Sequence, residues 1–381
     1  MLAERMKYVS YAIRDIILEA KRLESQMEML YLNVGDPCKF DFRPPMHIRE
    51  AVAEAVRSGD YSAYAPSQGD PELRELVNKT EGTEVSFITA GLAEGIDLLF
   101  QALVDHGDLF LMPSPSYPLY VTKSKIYARR ESYYPLDENW WPIPEEVEKA
   151  ITPRTKAILM INPNNPTGAV YPPKIVKALG DIAAAHNIPL IADEIYWALV
   201  YDGEYKRAAD VVSEDVPLVV ANGLSKSFFY PGARIGWLAL RNVPEELVDA
   251  LTRLTNARLS INWEMQRGAV AALKRGMDFL PPYLEKLRRR RDVFYKRFSE
   301  IDHLSLVKPE GAFYSVVQYD LNIDDWDFVR GLLKYGVVTV PASAFSSVLP
   351  KRYVRMVFLP PEEKIERAAE RTAAFIKSLN L

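Results

Sequence analysis

The 381-residue sequence contains a single cysteine, Cys38, and only four histidines. One cysteine cannot form a disulfide within the chain, so we expect a reducing, cytoplasmic location. The histidines lie far apart in the sequence and no cysteine pair accompanies them, so the pattern of a zinc site is missing and no metal is expected. A hydrolase that uses a cysteine and a histidine is disfavoured for the same reason.

Long apolar runs and an excess of positive charge are also missing. No run reaches the roughly 18 apolar residues that a membrane helix needs. The charged beginning, MLAERMKYVSYAIRD, lacks the apolar core of a signal peptide. A formal net charge of −4 disfavours a nucleic-acid-binding protein. The sequence therefore predicts neither a membrane nor a nucleic acid as a partner.

Short apolar runs alternate with amphipathic helical patterns through the middle of the chain. The runs are rich in Val, Ile, Leu and Phe and do not alternate with polar residues, which is typical of strands buried on both faces. They lie at 85–89, 108–112, 156–161, 188–192, 217–221 and 235–240. The pattern predicts an α/β fold with a mostly parallel central sheet flanked by helices. We expect a large unit at 40–280 and a smaller α+β unit made of 1–39 and 281–381.

Unusual polar or small-residue segments follow five of these runs. In chain order they are AGLAEG, PSPSYPLY, NPNNPTG, DEIY and NGLSKS. Ligands of open α/β sheets bind in the crevice beyond the carboxyl ends of the strands. The five segments therefore predict one shared binding site.

The stretch NGLSKSFFYPGARIGW contains Lys226 and Arg234, and no glycine-rich nucleotide loop fits it. Burial and nearby positive charge would lower the pKa of Lys226 and free its amine to attack an aldehyde. Arg234 and a helix start at AGLAEG suit a phosphate. Asp193, at the end of a buried strand, needs a cation such as a protonated ring nitrogen. An aldehyde, a phosphate and a protonatable ring nitrogen together describe pyridoxal 5′-phosphate.

The chain resembles the class I and II pyridoxal-phosphate-dependent aminotransferases, and most of all their alanine aminotransferase-like branch. The resemblance extends over nearly the whole sequence, from YAIRDIILEAKRLE and LNVGDP through YAPSQGDPELR to KPEGAFY and RMVFLPP. It implies the aspartate aminotransferase fold, fold type I of the pyridoxal-phosphate-dependent transferases, with a large domain and a smaller α+β domain. The implied reaction is a ping-pong transfer of an amino group between an L-amino acid, preferably alanine, and a 2-oxo acid such as 2-oxoglutarate or pyruvate.

Three alternatives stay open at this point. The first is an aminotransferase for aspartate or another amino acid. The second is a carbon–sulfur lyase that uses the same cofactor. The least favoured is a regulator that senses the cofactor, since only a short segment precedes LNVGDP and leaves little room for a DNA-binding domain.

The resemblance assigns roles around the cofactor ring. Lys226 is expected to form the Schiff base with the cofactor and to carry protons as general acid and base. Asp193 is expected to keep the ring nitrogen protonated. Tyr196 and Asn165 should donate hydrogen bonds to the ring oxygen, and Tyr117 should stack on the ring.

It also assigns the phosphate and the substrate. The phosphate is expected to contact the following residues: Ala90, Gly91, Leu92, Ser225 and Arg234. Tyr64 should reach the phosphate of a neighbouring subunit, which implies a homodimer with shared active sites. Arg355 should bind the substrate carboxylate, with Gly35 and Asn165 close by.

Several positions depart from the family pattern. Gly223 stands where many relatives have a serine that contacts the phosphate, and PASAFSS (341–347) lacks the usual glycines. Arg258 lies roughly where aspartate-specific relatives place an arginine for a distal carboxylate, although its segment also reads as a helix surface. The arginine run 288–291 predicts a solvated helix face, with Arg291 on the packed side of the helix beside Leu284, Leu287, Phe294 and Phe298.

Overall fold

The computed structural model describes residues 3–9, 12–350 and 352–379, and its main feature is a seven-stranded sheet. The strands in chain order are β1 (Leu30–Tyr31), β2 (Val85–Ala90), β3 (Leu109–Ser114), β4 (Ser132–Pro135), β5 (Thr155–Ile161), β6 (Leu190–Asp193), β7 (Leu218–Gly223), β8 (Ile235–Arg241), β9 (Leu304–Ser305), β10 (Tyr314–Tyr319), β11 (Val337–Val338), β12 (Val340–Pro341) and β13 (Tyr353–Val357). Each of the six apolar runs of the sequence overlaps one of these strands, so the α/β prediction is confirmed.

The large sheet has the order β2-β8-β7-β6-β5-β3-β4. β8 is antiparallel to both of its neighbours, and every other pair of adjacent strands in this sheet is parallel. The carboxyl ends of the other six strands and the beginning of β8 therefore meet at one edge. The five segments that come after the apolar runs all lie at that edge, where ligands of such sheets bind.

Helices cover both faces of this sheet. The helices of the described ranges are α1 (Ala12–Leu23), α2 (Met46–Ser58), α3 (Pro71–Glu81), α4 (Leu92–Leu103), α5 (Pro118–Tyr127), α6 (Pro144–Ala150), α7 (Pro173–Ala185), α8 (Ala208–Val211), α9 (Glu245–Arg258), α10 (Trp263–Arg275), α11 (Pro281–Ser299), α12 (Asp325–Lys334) and α13 (Glu362–Ser378). Of these, α1 and α11 to α13 contact the later strands of the chain instead. Phe87 and Ile88 are neighbours on β2 but belong to different apolar cores, one on each side of the sheet. No helix in the described ranges is long and apolar enough to cross a membrane.

A second, four-stranded sheet has the order β12-β13-β10-β9 and is antiparallel throughout. The short strand β1 pairs in parallel with β11, so the N-terminal segment packs beside the later part of the chain. The large sheet lies within 40–280 and the smaller sheet within 281–381. The division of the chain into two units at these bounds stays a prediction.

The arginine run of α11 differs from the predicted solvated face. Arg290 and Arg291 are buried. Arg290 donates hydrogen bonds to the Leu359 carbonyl and to Asp41, while Arg291 donates to Asp202 at 2.5 Å. A buried guanidinium is tolerated when its donors find carbonyls and carboxylates. The prediction of a solvated position was wrong for Arg290, whereas Arg291 lies on the packed side of the helix as predicted, and both residues hold α11 against the loops that contain Asp41 and Asp202.

Candidate active site

A cavity of about 310 Å³ opens at the carboxyl edge of the large sheet, facing β10 and β13. Most of the site residues predicted from the sequence line it, namely Gly35, Leu92, Tyr117, Asn165, Asp193, Tyr196, Ser225, Lys226, Arg234 and Arg355. The cavity also has lining residues that the sequence did not single out, among them Asn33, Asp36 and Tyr314. The convergence of strand ends inferred from the sequence is therefore present in the fold.

Lys226 lies in the turn between β7 and β8, and its amine faces the cavity. Nζ donates a hydrogen bond to the Gly35 carbonyl at 2.7 Å. Burial lowers the pKa of Lys226 to about 8; the Asp36 carboxylate opposes this shift, whereas Arg355 and Arg234 add to it. With such a pKa about a tenth of the amine is neutral at pH 7, far more than for an ordinary lysine, and only the neutral amine is a nucleophile or a base.

Asp193 is the last residue of β6 and is 3% exposed. Its carboxylate accepts hydrogen bonds from the Tyr120 hydroxyl at 2.9 Å and from the Ile195 N–H at 3.2 Å. Burial raises the pKa of Asp193 to about 6, against the opposing effect of these hydrogen bonds and of the Lys226 charge. A buried carboxylate of this kind is best stabilised by a cation brought to it.

Tyr196 follows Asp193 in a turn, and its hydroxyl shares a hydrogen bond of 2.9 Å with the hydroxyl of Tyr314. The two rings are perpendicular, with centroids 5.6 Å apart. Gly35 passes directly beside this pair, because a Cβ atom added to it would lie 2.1 Å from the Tyr314 hydroxyl oxygen. Glycine is thus required there, and it lets the Gly35 carbonyl reach Lys226.

Arg234 lies immediately before β8, at the edge of the sheet where the other strands end. Its guanidinium donates hydrogen bonds to the carbonyls of Ala90 at 3.2 Å and Pro231 at 2.9 Å. It covers Gly91, where an added Cβ would lie 2.1 Å from the Arg234 Nη2 atom. Gly91 has a φ of 72° and precedes the first turn of α4. The N–H groups of that turn and the guanidinium therefore face the same space, which suits an anion.

Gly223, the position that departs from the family pattern, is the last residue of β7. A Cβ atom there would lie 2.7 Å from both the Cα of Gly236 and the carbonyl oxygen of Ile235. Both are backbone atoms of the neighbouring strand β8, so a side chain would require the two strands to separate. The close strand pairing explains the glycine, and a serine contact to an anion is not available from this backbone.

Arg355 on β13 faces the cavity from the smaller sheet and is 3% exposed. It donates hydrogen bonds to the Asn33 carbonyl at 2.5 Å and to the Asn165 side-chain oxygen at 3.4 Å. Its guanidinium lies between two aromatic rings, 4.7 Å from the Tyr314 centroid and 5.1 Å from the Phe345 centroid. These contacts fix the plane of the guanidinium, which is the group that binds carboxylates with two parallel hydrogen bonds.

Phe345 belongs to the PASAFSS segment, which is tied to the end of β3. The Ser116 N–H donates to the Phe345 carbonyl at 2.9 Å, and the hydroxyls of Ser114 and Ser346 are 2.8 Å apart. Arg355 is thereby connected to the large sheet through a segment that lacks the usual glycines. The segment thus supports Arg355 through Phe345, although none of its residues lines the cavity.

Four residues considered from the sequence do not line the cavity, namely Ala90, Gly91, Tyr64 and Arg258. Ala90 and Gly91 contact the Arg234 guanidinium, whereas Tyr64 and Arg258 lie elsewhere. Tyr64 is in the loop between α2 and α3 and is 81% exposed. Arg258 donates hydrogen bonds to the carbonyls of Ser67 and Ile88 and forms an ion pair with Glu94 at 3.4 Å. The Arg258 guanidinium is engaged within its own chain, between β2 and α4, and not on a helix surface.

A buried polar network supports the site from behind. Arg207 forms ion pairs with Glu81 and with Glu194, whose side chains are each 1% exposed. Glu81 also accepts hydrogen bonds from the side chains of Asn222 at 3.2 Å and Trp237 at 2.8 Å. Glu194 follows Asp193, and Asn222 lies near the end of β7. The network therefore joins the two strand ends that carry Asp193 and Lys226.

Comparison with known proteins gives one consistent family. Residues 27–371 match the family model described as "Aminotransferase class I and II". An alanine aminotransferase structure from Pyrococcus furiosus is 39% identical to the chain with a TM-score of 0.94, covering 99% of this chain and 100% of that one.

Two curated relatives have related names. The glutamate-pyruvate aminotransferase of Escherichia coli is 32% identical, covering 98% of this chain and 97% of that protein. The aspartate/prephenate aminotransferase of Thermus thermophilus is 33% identical, covering 94% of both chains.

Proposed function

The chain belongs to the class I and II aminotransferases, as its ordered motifs predict, and we propose that it transfers an amino group between alanine and 2-oxoglutarate with pyridoxal 5′-phosphate as cofactor. The observation that supports this most is the convergence of Lys226, Asp193 and Arg234 on one cavity at the carboxyl edge of the sheet. The alanine preference is supported by the names of the Pyrococcus and Escherichia relatives. A preference for aspartate is the second candidate, since the Thermus relative is named for it.

The residues present fit the proposed cofactor. Asp193 is buried and forms no ion pair with any residue in the described ranges, so a protonated ring nitrogen would supply its missing cation. Arg234, the first turn of α4 and Ser225 would hold the phosphate. Lys226 would hold the aldehyde carbon. When bound, pyridoxal phosphate supplies an aldehyde that condenses with amines and a ring that accepts electrons from the substrate α-carbon.

The ring would be held by residues whose positions are fixed by other contacts. Tyr196 is oriented by its hydrogen bond to Tyr314, and Asn165 by its contact with Arg355. Both side chains line the cavity between Lys226 and the smaller sheet, where a ring oxygen would meet them. Tyr117 lines the same space from the beginning of α5 and offers an aromatic face.

The chain's own residues can position the substrate and move its proton. Arg355 would bind the α-carboxylate, because its plane is fixed by the two aromatic rings and its charge is buried. Once its amine is released, Lys226 would act as a base and remove the proton from the substrate α-carbon. The protonated amine would then act as an acid and donate a proton in the same transfer. Its lowered pKa suits both tasks, since a base with a pKa near the working pH exchanges protons in both directions.

We also propose a homodimer with shared active sites and a cytoplasmic location. The exposed Tyr64 contributes nothing to the cavity of its own chain, which is what a residue that serves a neighbouring subunit requires. The Tyr64→Ala and Lys226→Ala chains can be unfolded, mixed and refolded together. This should restore activity in hybrid dimers, each of which has one intact site. A mixture as inactive as its two components would contradict shared sites. The cytoplasmic location rests on the single cysteine.

A substrate panel tests the reaction. The holoenzyme is mixed with single amino acids, and the loss of the cofactor's visible absorbance reports amino transfer in one turnover. We expect kcat/KM to be higher for alanine than for aspartate, with glutamate active as the reverse partner and cystathionine giving no pyruvate-releasing cleavage. A higher kcat/KM for aspartate would replace alanine by the second candidate. Absence of transfer from every amino acid would overturn the proposed function.

A further inference from the structure

Asn33 has a side chain that is buried, polar and without a partner. It is 0% exposed and lies between β1 and the short helical turn at Pro37–Lys39. Within the described part of the chain, neither its Nδ2 nor its Oδ1 atom has a hydrogen-bond partner. Burying both groups of an amide without partners is destabilising, so such side chains are rare unless a ligand or a water completes them.

The surroundings of Asn33 indicate which ligand it would meet. It lines the same cavity as Lys226 and Arg355, and its backbone carbonyl accepts a hydrogen bond from Arg355 Nη2 at 2.5 Å. The Nε atom of Arg355 is also buried and has no hydrogen-bond partner in the ranges that the structure describes. Neither the Asn33 Nδ2 donor nor the Arg355 Nε donor therefore has an acceptor in the described ranges, and an external acceptor in the cavity could serve them.

We propose that Asn33 is a substrate-binding residue, whose Nδ2 donates a hydrogen bond to the substrate carboxylate. A carboxylate carries only acceptors, so it can take hydrogen bonds from Asn33 Nδ2 and from Arg355 at the same time. The inference rests on the proposed function, because it deepens the site at which Arg355 would bind the substrate. It predicts that Asn33 distinguishes substrates with a carboxylate from amines that lack one.

The main test replaces Asn33 by leucine, which has a similar size and no hydrogen-bonding group. We expect KM for alanine and for 2-oxoglutarate to rise about tenfold, since a hydrogen bond to a charged group is lost, while kcat changes little. Binding of propionate to the holoenzyme, a carboxylate that cannot react, should weaken by about the same factor. The rate with alaninol, which lacks the carboxylate, should not change. The melting temperature should stay the same or rise, because two unpaired polar groups have been removed.

A purely structural role for Asn33, with a bound water as its partner, has the opposite outcome. Asn33→Leu would then lower the melting temperature and leave KM and the propionate affinity unchanged, and the proposal would be overturned. An equal loss of rate with alaninol and alanine would also overturn it. If no amino acid is a substrate of the wild-type enzyme, the proposed function fails, but propionate binding still tests Asn33 by itself.

A second variant and a matched control strengthen the test. Asn33→Asp keeps the shape of the side chain but removes the donor and adds a negative charge. It should weaken propionate binding at least as much as the leucine variant does, and unchanged binding would count against the proposal. Ser315 is equally buried, and its hydroxyl also lacks a partner within the described ranges. It follows Tyr314 on β10 and so faces away from the cavity, and Ser315→Ala should leave KM and propionate binding unchanged.

Discussion

Replacing Asp193 by asparagine should make the apoenzyme more stable and the holoenzyme less stable relative to the wild type. Asp193 is 3% exposed and carries its charge without an ion pair in the described part of the chain. An asparagine can keep both of its hydrogen bonds. Its oxygen accepts from the Ile195 N–H, and its amide donates to the Tyr120 hydroxyl, which can rotate to accept. The substitution therefore removes the charge and little else.

The size of the effect depends on the pKa of Asp193, which burial raises from its usual 3.8 to about 6. Between these two values the folded state binds more protons than the unfolded state, so the free energy of unfolding falls as the pH rises. The difference between a pKa of 3.8 in the unfolded chain and one of about 6 in the folded chain corresponds to about 3 kcal/mol at pH 7. For a chain of this length, with an unfolding entropy near roughly 0.8 kcal/mol per degree, this amounts to about 4 °C in melting temperature.

Differential scanning calorimetry between pH 4 and pH 8 measures this difference. Without cofactor, the Asp193→Asn enzyme should melt higher than the wild type at pH 7, and the difference should shrink as the pH falls towards 4. Saturating pyridoxal phosphate should raise the melting temperature of the wild type more than that of the Asp193→Asn enzyme, because a ring cation compensates the buried carboxylate. The exposed Asp60→Asn is the control and should change neither curve. If the melting temperatures of the wild type and of Asp193→Asn without cofactor differ by the same amount at every pH, the reasoning is refuted.

Three further perturbations probe the geometry of the site. Because the pKa of Lys226 is lowered to about 8, the rate of cofactor uptake by the apoenzyme, followed by absorbance, should level off above pH 8; a rate that still climbs tenfold per pH unit at pH 10 would contradict this. Gly223→Ser should lower the melting temperature by about 1–4 °C through overpacking against β8. Gly232 has open space around it, so Gly232→Ser should not change the melting temperature. Equal effects of the two substitutions would rule out the strand contact as the cause. Arg207→Met should lower the melting temperature by about 4–6 °C, because two buried carboxylates lose their cation. The control is Lys149→Met, which breaks an exposed ion pair. If both substitutions lower the melting temperature equally little, the ion pairs of Arg207 contribute little to stability.

The strands and the convergence of the site could be predicted because both depend on local patterns. An unbroken apolar run indicates a strand buried on both faces, and in a parallel sheet the residues directly after such a run lie at the carboxyl edge. Tyr120 could have been found in the same way. It lies three positions after Tyr117 in SPSYPLY, which places both residues on one face of a helix that begins there. Its hydrogen bond to Asp193 is the contact that this spacing makes possible.

Other features depend on contacts between distant segments, which a single sequence does not display. Asn33 looks like any asparagine of LNVGDP until its missing partners are seen in the fold. The burial of Arg290 depends on Asp41, which is 249 positions away in the sequence, and no local pattern predicts such a pair. The reason for Gly223 is likewise the backbone of β8 and not its own neighbours in the sequence.

The site combines groups that are costly to bury with a frame that keeps them in place. Asp193 lacks a cation in the described ranges, Lys226 is held at a lowered pKa, and Asn33 has an unpaired amide, and each of them is completed by a different part of the proposed cofactor and substrate. Without a rigid support, Asp193 and Lys226 would move towards each other or towards water and so reduce these costs. The Arg207 network at the ends of β6 and β7 opposes such movement, because breaking it would expose buried carboxylates of its own. Cofactor binding should therefore stabilise the whole fold, and substrates should gain affinity from groups that the free enzyme leaves unsatisfied.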